Sequence, residues 1–195
     1  KRGYQLSSKN FCTITSNIAV KLNLIKKPNN KLKHNQRIRL HLGTQESIGR
    51  ILLLNNNDKE KFPALIKLEK AIIASYKDKF IIRSYSPVAT IGGGTVLDIN
   101  IEGKWNKIKE YLNNLYVCNN DEEFLNILFS YNIKNVFSIK ALAKKMSFSV
   151  NYLKKIISNS NNIIYLDKEK EWVASYVQIE KIKKLIIDKI KTSHK

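Results

Sequence analysis

Lys79-Phe-Ile-Ile-Arg-Ser-Tyr-Ser-Pro-Val-Ala-Thr-Ile-Gly-Gly-Gly-Thr-Val-Leu-Asp98 is the stretch on which the reading of this chain turns. Phe80–Arg83 and Thr95–Ile99 are short β-prone runs on either side of Ser-Pro and a triple glycine, a pattern that predicts a β-hairpin with a wide turn. Three glycines in a strand pattern remove packing side chains and enlarge the unfolded ensemble. They therefore mark a bulge, a bend or a backbone passing very close. A phosphate-cradling loop fits poorly. Gly92–Gly94 lead into Thr-Val-Leu, no G-x-G-x-x-G spacing exists, and no helix start follows to supply a dipole. The run reads as a corner of a barrel.

The sequence on the N-terminal side supplies the other strands. Arg37–Leu42 alternates cleanly, with Ile38, Leu40 and Leu42 on one face and Arg37, Arg39 and His41 on the other, before Gly43-Thr44 turns the chain. That polar face offers three contacts to phosphate, and it equally fits a solvated outer surface. Phe11–Leu24, Ile48–Leu54, Phe62–Leu68 and Ala71–Ala74 give further strands, with Lys77-Asp78 as the turn into Phe80. Short strands at regular spacing, with no helical period between them, predict a closed antiparallel barrel over residues 9–99.

After Asp98 the period changes. Trp105, Ile108, Leu112 and Leu115 fall at helical spacing, so residues 100–120 read as a helical connector. Asp121-Glu122-Glu123 opens a second helix, with Phe124, Leu125, Leu128 and Phe129 as its buried stripe. Ser138 reads as an N-cap, Met146-Ser147-Phe148-Ser149 as a turn, and Val150–Ser158 as the second helix of a helix-turn-helix. Ile163–Leu166 and Glu171–Ala174 form a hairpin around a charged tip. Helix, helix-turn-helix and hairpin make residues 121–176 a winged helix. Asn151, Lys154 and Lys155 on its recognition helix, with Lys168 and Lys170 on the wing, are the nucleic-acid contacts this pattern offers. Glu169 and Glu171 dilute that wing, and a protein spacer is the competing role. Residues 177–195 read as the first helix of a second, truncated winged-helix domain, with Ile182, Leu185, Ile186 and Ile190 apolar.

Composition narrows the function. The 195 residues are 43% hydrophobic, enough for two small cores, and no run of 18 apolar residues exists to span a membrane. The net charge of +19 points to a polyanion. Residues 1–98 carry a net +12 and residues 99–195 a net +7, so the charge is no isolated tail. Only five of the 35 basic residues are arginine, and the abundance of Lys, Asn and Ile reflects A/T-rich codons in part. Cys12 and Cys118 lack C-x-x-C spacing, and His34, His41 and His194 lack ligand spacing, so neither a disulfide framework nor a metal site is expected. Reduced thiols suggest the cytoplasm. No nucleophile–base pair or carboxylate dyad stands out, and no catalytic residue is assigned.

The run ending in Gly-Gly-Gly-Thr-Val-Leu-Asp resembles the last hairpin of the third domain of translational GTPases of the EF-Tu type. Its Ser-Pro and triple-glycine form, together with "Arg-Ile-Arg-Leu-His-Leu-Gly-Thr" about forty residues earlier, is similar to the bacterial selenocysteine-specific elongation factors, SelB. Gly43, Thr44, Arg83, Gly92, Gly93 and Gly94 carry the likeness. Lys1–Leu6 resembles the end of a preceding barrel, placing residues 1–8 in its tail, and the absence of an initiator Met suggests a piece of a longer protein. The winged helix separates this family from EF-Tu itself, which stops after the barrel. The resemblance implies delivery of selenocysteyl-tRNA to the ribosome at UGA codons, guided by an mRNA hairpin read by later winged helices, by a factor that is expected to be monomeric. GTP and Mg²⁺ are implied for the full-length protein only, because no P-loop or N-K-x-D motif lies in these residues. A free-standing winged-helix regulator, with the barrel as a dimerisation or ligand module, is the competing reading.

Overall fold

The computed structural model describes residues 13–25, 32–55, 60–131 and 136–193. The readings placed on Lys1–Leu6, Phe11, Cys12 and His194 lie outside them. The chain divides into two compact units, Lys1–Val117 with Lys144–Ser147, and Cys118–Ala143 with Phe148–Lys195.

The first unit is a closed barrel of six antiparallel strands: β1 (Ile14–Leu24), β2 (Gln36–Leu42), β3 (Gln45–Leu53), β4 (Lys61–Ile73), β5 (Lys79–Ser84) and β6 (Thr90–Ile99). Their order around the barrel is β1-β4-β3-β2-β5-β6, with β6 pairing back onto β1. Period-two alternation sends Ile18, Val20 and Leu22 of β1, Ile38 and Leu40 of β2, Ile66 of β4 and Ile82 of β5 into one dry interior. Gly43 adopts φ 57° at the head of the two-residue β2–β3 turn, a conformation a Cβ disfavours.

Two expectations change here. Phe62–Leu68 and Ala71–Ala74 are one strand rather than two. The exposed Glu69-Lys70-Ala71 segment does not end it, because β4 carries the extra residues as a bulge: from Thr15 to Asn17 of β1 the partner shifts from Ile72 to Lys67. The triple glycine is likewise no corner. Gly92, Gly93 and Gly94 lie inside β6, paired with Leu24, Asn23 and Leu22 of β1 on one side and with Ile82, Ile81 and Phe80 of β5 on the other. A Cβ at these positions would stand 2.6, 2.7 and 2.0 Å from the carbonyl oxygens of Asn23, Phe80 and Lys21. Glycine is required because neighbouring backbone passes too close for any side chain.

Helix α1 (Trp105–Val117) belongs to the barrel unit, so the connector expected over 100–120 is in large part docked structure. Ile108, Leu112 and Leu115 are buried, and the buried Tyr111 hydroxyl donates to Asp98 Oδ2 at 2.7 Å. The Tyr116 hydroxyl donates to the Lys61 carbonyl at 3.2 Å.

The second unit contains α2 (Asp121–Tyr131), β7 (Phe137–Ser138), α3 (Ile139–Met146) as far as Ala143, α4 (Val150–Asn159), β8 (Ile163–Asp167), β9 (Trp172–Ser175) and α5 (Tyr176–Ser193). The strands form an antiparallel sheet in the order β7-β9-β8. Capping sets the helix starts. Asn120 Oδ1 accepts from the Glu123 amide while the Glu123 carboxylate accepts from the Asn119 amide, both at 2.8 Å. Ser138 and Ser149 hydroxyls accept from the amides of Ala141 and Tyr152, each at 3.2 Å. Phe124, Leu128, Phe129, Leu142, Leu153 and Val173 fill the core. Strand β7 has no counterpart in the sequence reading, since two residues carry no period. On α5, Ile182, Leu185, Ile186 and Ile190 are exposed.

Candidate nucleic-acid interface

Strand β2 presents Arg37, Arg39 and His41 on the outer face of the barrel, opposite the buried Ile38, Leu40 and Leu42. The ladder then adds what the linear sequence hides. Arg37 lies directly across from Arg50 on β3, and Arg39 directly across from Arg83 on β5. Residues directly opposite share a face. Four of the chain's five arginines therefore gather on one outer surface, although lysine outnumbers arginine sixfold. Arg50 and Tyr85 were missed as site residues, and Arg83 had been read only as part of the resemblance. A signal was available in the scarcity of arginine, but the strand register was needed to see that these four converge.

Tyr85 organises the cluster. The guanidinium carbons of Arg37 and Arg39 stand 4.2 and 5.2 Å from its ring centroid, within cation–π range. Arg37 also makes a bidentate pair with Glu69, Nε to Oε1 at 3.0 Å and Nη2 to Oε2 at 3.1 Å. Its hydrogen bond to Glu69 raises its pKa further. Arg39 Nη1 donates to Glu46 Oε1 at 2.8 Å, and Arg50 Nη1 donates to the Asn35 carbonyl at 3.0 Å. Neither Arg37 nor Arg39 is the free cation that strand alternation alone suggested. Each is held flat on the barrel by a carboxylate that an incoming phosphate would have to displace. The Nε atoms of Arg39 and Arg83 and Nε2 of His41 are buried without a hydrogen-bond partner, an electrostatic cost concentrated on this surface.

In the second unit, Lys154 of α4 is ion-paired with Glu171 before β9, a bond that raises the lysine pKa and lowers that of the carboxyl. Lys170 pairs with Asp167 at 3.8 Å across the hairpin tip. Asn151 and Lys155, one helical turn apart, are exposed, as is Lys168. Of the five polar residues assigned here from sequence, the two lysines nearest acidic neighbours are thus engaged and the other three face solvent. Among the described residues no group of three or more His, Cys, Asp or Glu could hold a metal ion, and no helix is long and apolar enough to cross a membrane.

Residues 15–102 match the family described as "Selenocysteine-specific elongation factor, beta-barrel domain". The matched span coincides with the barrel, a little under half of the chain. A crystal structure of a bacterial selenocysteine-specific elongation factor, EF-Sec, superposes with a TM-score of 0.65 at 20% sequence identity, over 93% of this chain and 27% of that one. At that identity the likeness concerns the fold, and the chain spans about a quarter of that protein's length. A search of curated protein sequences finds no match. The SelB barrel fold expected from Gly92–Gly94 and Arg37–Thr44 is thereby established: a closed six-stranded antiparallel barrel followed by a helical region.

Proposed function

We propose that this chain is the RNA-handling part of a selenocysteine-specific translation factor, with the outer face of β2, β3 and β5 contacting the phosphodiester backbone of selenocysteyl-tRNA. The observation that carries the reading is the convergence of Arg37, Arg39, Arg50 and Arg83 on one outer face, with Arg37 and Arg39 against Tyr85, on a barrel that matches this family. Arginine suits the task because its planar fork meets phosphate in two hydrogen bonds and remains charged at any physiological pH. Such contacts fix orientation without reading sequence. Glu69 and Glu46 keep the two central guanidinium groups extended until phosphate replaces them.

On this reading the second unit is a winged helix, with Asn151, Lys155 and Lys168 available to nucleic acid and the rest of the unit acting as a spacer. GTP and Mg²⁺ chemistry belongs to a GTPase domain elsewhere in the factor, the ribosome and an mRNA hairpin are further partners, and no catalytic step is assigned to these residues. The factor works in the cytoplasm as a monomer.

The test is a fluorescence-anisotropy titration of the 195-residue chain with selenocysteine tRNA and with random duplex DNA, across a salt series. Preference for the tRNA is expected. Replacing Arg50 and Arg83 with glutamine should lower the slope of log K against log salt by about 0.9 for each lost phosphate contact. Equal binding to both nucleic acids, unchanged by the substitutions, would remove the reading.

A further inference from the structure

A second basic surface lies on another part of the barrel wall. Lys21 of β1 and Lys79 of β5 both lie directly across from Thr95 of β6, one on each side. In the next row, Lys61 of β4 opposes Asn23 of β1, and Asn23 opposes Gly93 of β6. Adjacent strands stand about 4.8 Å apart, so Lys21 and Lys79 flank Thr95 with their backbones about 10 Å from one another. Gly93 has no side chain to fill the space beside Thr95, and the close approach of the Phe80 carbonyl forbids one. The result is an open trough of about 500 Å³ lined by Lys21, Lys61, Lys79, Asn23, Gly93 and Thr95 among others.

Charge decides what this trough suits. Its lining contains three lysines and no acidic residue, and none of the three ammonium groups makes an ion pair with any described residue. Lys21 is held in place from outside, its Nζ lying 4.9 Å from the ring centroid of Tyr116, whose hydroxyl is tied to the Lys61 carbonyl. This differs from the arginine face, where Arg37 and Arg39 are neutralised by glutamates. Strand β5 connects the two surfaces, since Lys79, Ile81 and Arg83 alternate onto its outer side. Four residues of strand separate Lys79 from Arg83 by about 13 Å, the reach of roughly two nucleotides of extended backbone.

We infer that the trough over Gly93 is a second phosphate site, in which Lys21, Lys61 and Lys79 hold RNA backbone two or so nucleotides from the phosphates at Arg83. Thr95 and Asn23 supply neutral hydrogen bonds, and the bare backbone at Gly93 lets the phosphodiester approach. The inference deepens the RNA-handling reading above and rests on it, adding a continuous track along β5.

The test uses the ¹⁵N-labelled 195-residue chain, titrated with a twelve-nucleotide single-stranded RNA and, separately, with inorganic phosphate. RNA should shift the amides of Gly93, Gly94, Thr95 and Lys79. The triple variant Lys21→Gln, Lys61→Gln, Lys79→Gln, all at exposed positions, should lose those shifts. Its log K against log salt slope should be about 2 units shallower, at roughly 0.7 per contact on a single strand. An unchanged slope in the triple variant, with Arg50→Gln/Arg83→Gln still weakening binding, overturns the trough and spares the arginine face. Shifts with inorganic phosphate but none with RNA overturn the RNA assignment. If neither variant alters RNA binding, both readings fall.

Discussion

Replacing Gly94 with alanine is the sharpest test of why β6 carries three glycines. In an ordinary strand the substitution would be favourable, since alanine loses less conformational freedom on folding and gains about 0.5–1 kcal/mol. Here the new Cβ would stand 2.0 Å from the Lys21 carbonyl oxygen and 3.0 Å from Phe80 Cζ. The first neighbour is backbone in the adjacent strand and cannot rotate away, so β1 and β6 must separate. Overpacking of this kind costs about 1–3 kcal/mol and occasionally more. Because the clash falls on the ladder that closes the barrel, a net loss of about 2 kcal/mol is expected. For a domain of this size that lowers the melting temperature by about 8–16 °C. The assay is thermal unfolding followed by tryptophan fluorescence in a Trp172→Phe background, which leaves Trp105 of the barrel unit as reporter. Gly93→Ala, with its nearest contact at 2.7 Å, should be affected less. A Gly94→Ala protein as stable as the parent would refute the close-approach explanation.

Other consequences follow from specific groups. Burial raises the pKa of Asp78, so the protonated form is the one the fold favours; that contribution is complete below the unfolded carboxyl's pKa and is lost as pH rises through the folded value. Asp78→Asn keeps an acceptor for the Ser75 amide, and its melting temperature relative to the parent should therefore rise between pH 3 and pH 7. A pH-independent difference would show that the burial is not felt. Glu171 has the opposite sign: Lys154 lowers its pKa, so its stabilisation is present above the unfolded pKa and disappears as pH falls through the folded one. Glu171→Gln should flatten the acid limb of the second unit's melting curve, read from Trp172 fluorescence in a Trp105→Phe background. Glu69→Gln releases Arg37 and should steepen the salt dependence of RNA binding by up to about 0.9, measured by anisotropy. Removing the buried Tyr111 hydroxyl with Tyr111→Phe takes one donor from Asp98 and should cost about 1–3 kcal/mol by urea unfolding.

Much of the fold was legible because the relevant forces are local. Alternation at Ile38, Leu40 and Leu42 records which face of β2 is dry, and the serines at 138 and 149 mark helix starts by satisfying amides a few residues away. These signals act over two to four residues, so the linear order contains them. Strand β7 escaped because its two residues are strands only through pairing with β9. The extent of β4 escaped because its two ends are joined by a bulge at residues 68–71 and are seen as one strand only through their pairing with β1 on both sides of it.

What this sequence determined by itself was the alternation of strands and helices, a strongly basic chain and a glycine run similar to one family's barrel. Tertiary structure alone decided what those features do. Gly92–Gly94 are glycines because carbonyl oxygens of β1 and β5, far away in sequence, leave no room for a Cβ. Arg37, Arg39, Arg50 and Arg83 form one surface because antiparallel register sets Arg37 opposite Arg50 and Arg39 opposite Arg83. The same closure brings together Lys21, Lys61 and Lys79 over Gly93 while pairing Arg37 and Arg39 with glutamates. Charge is written residue by residue, but which charges meet, and which remain for a partner, is set by cross-strand neighbours tens of residues apart.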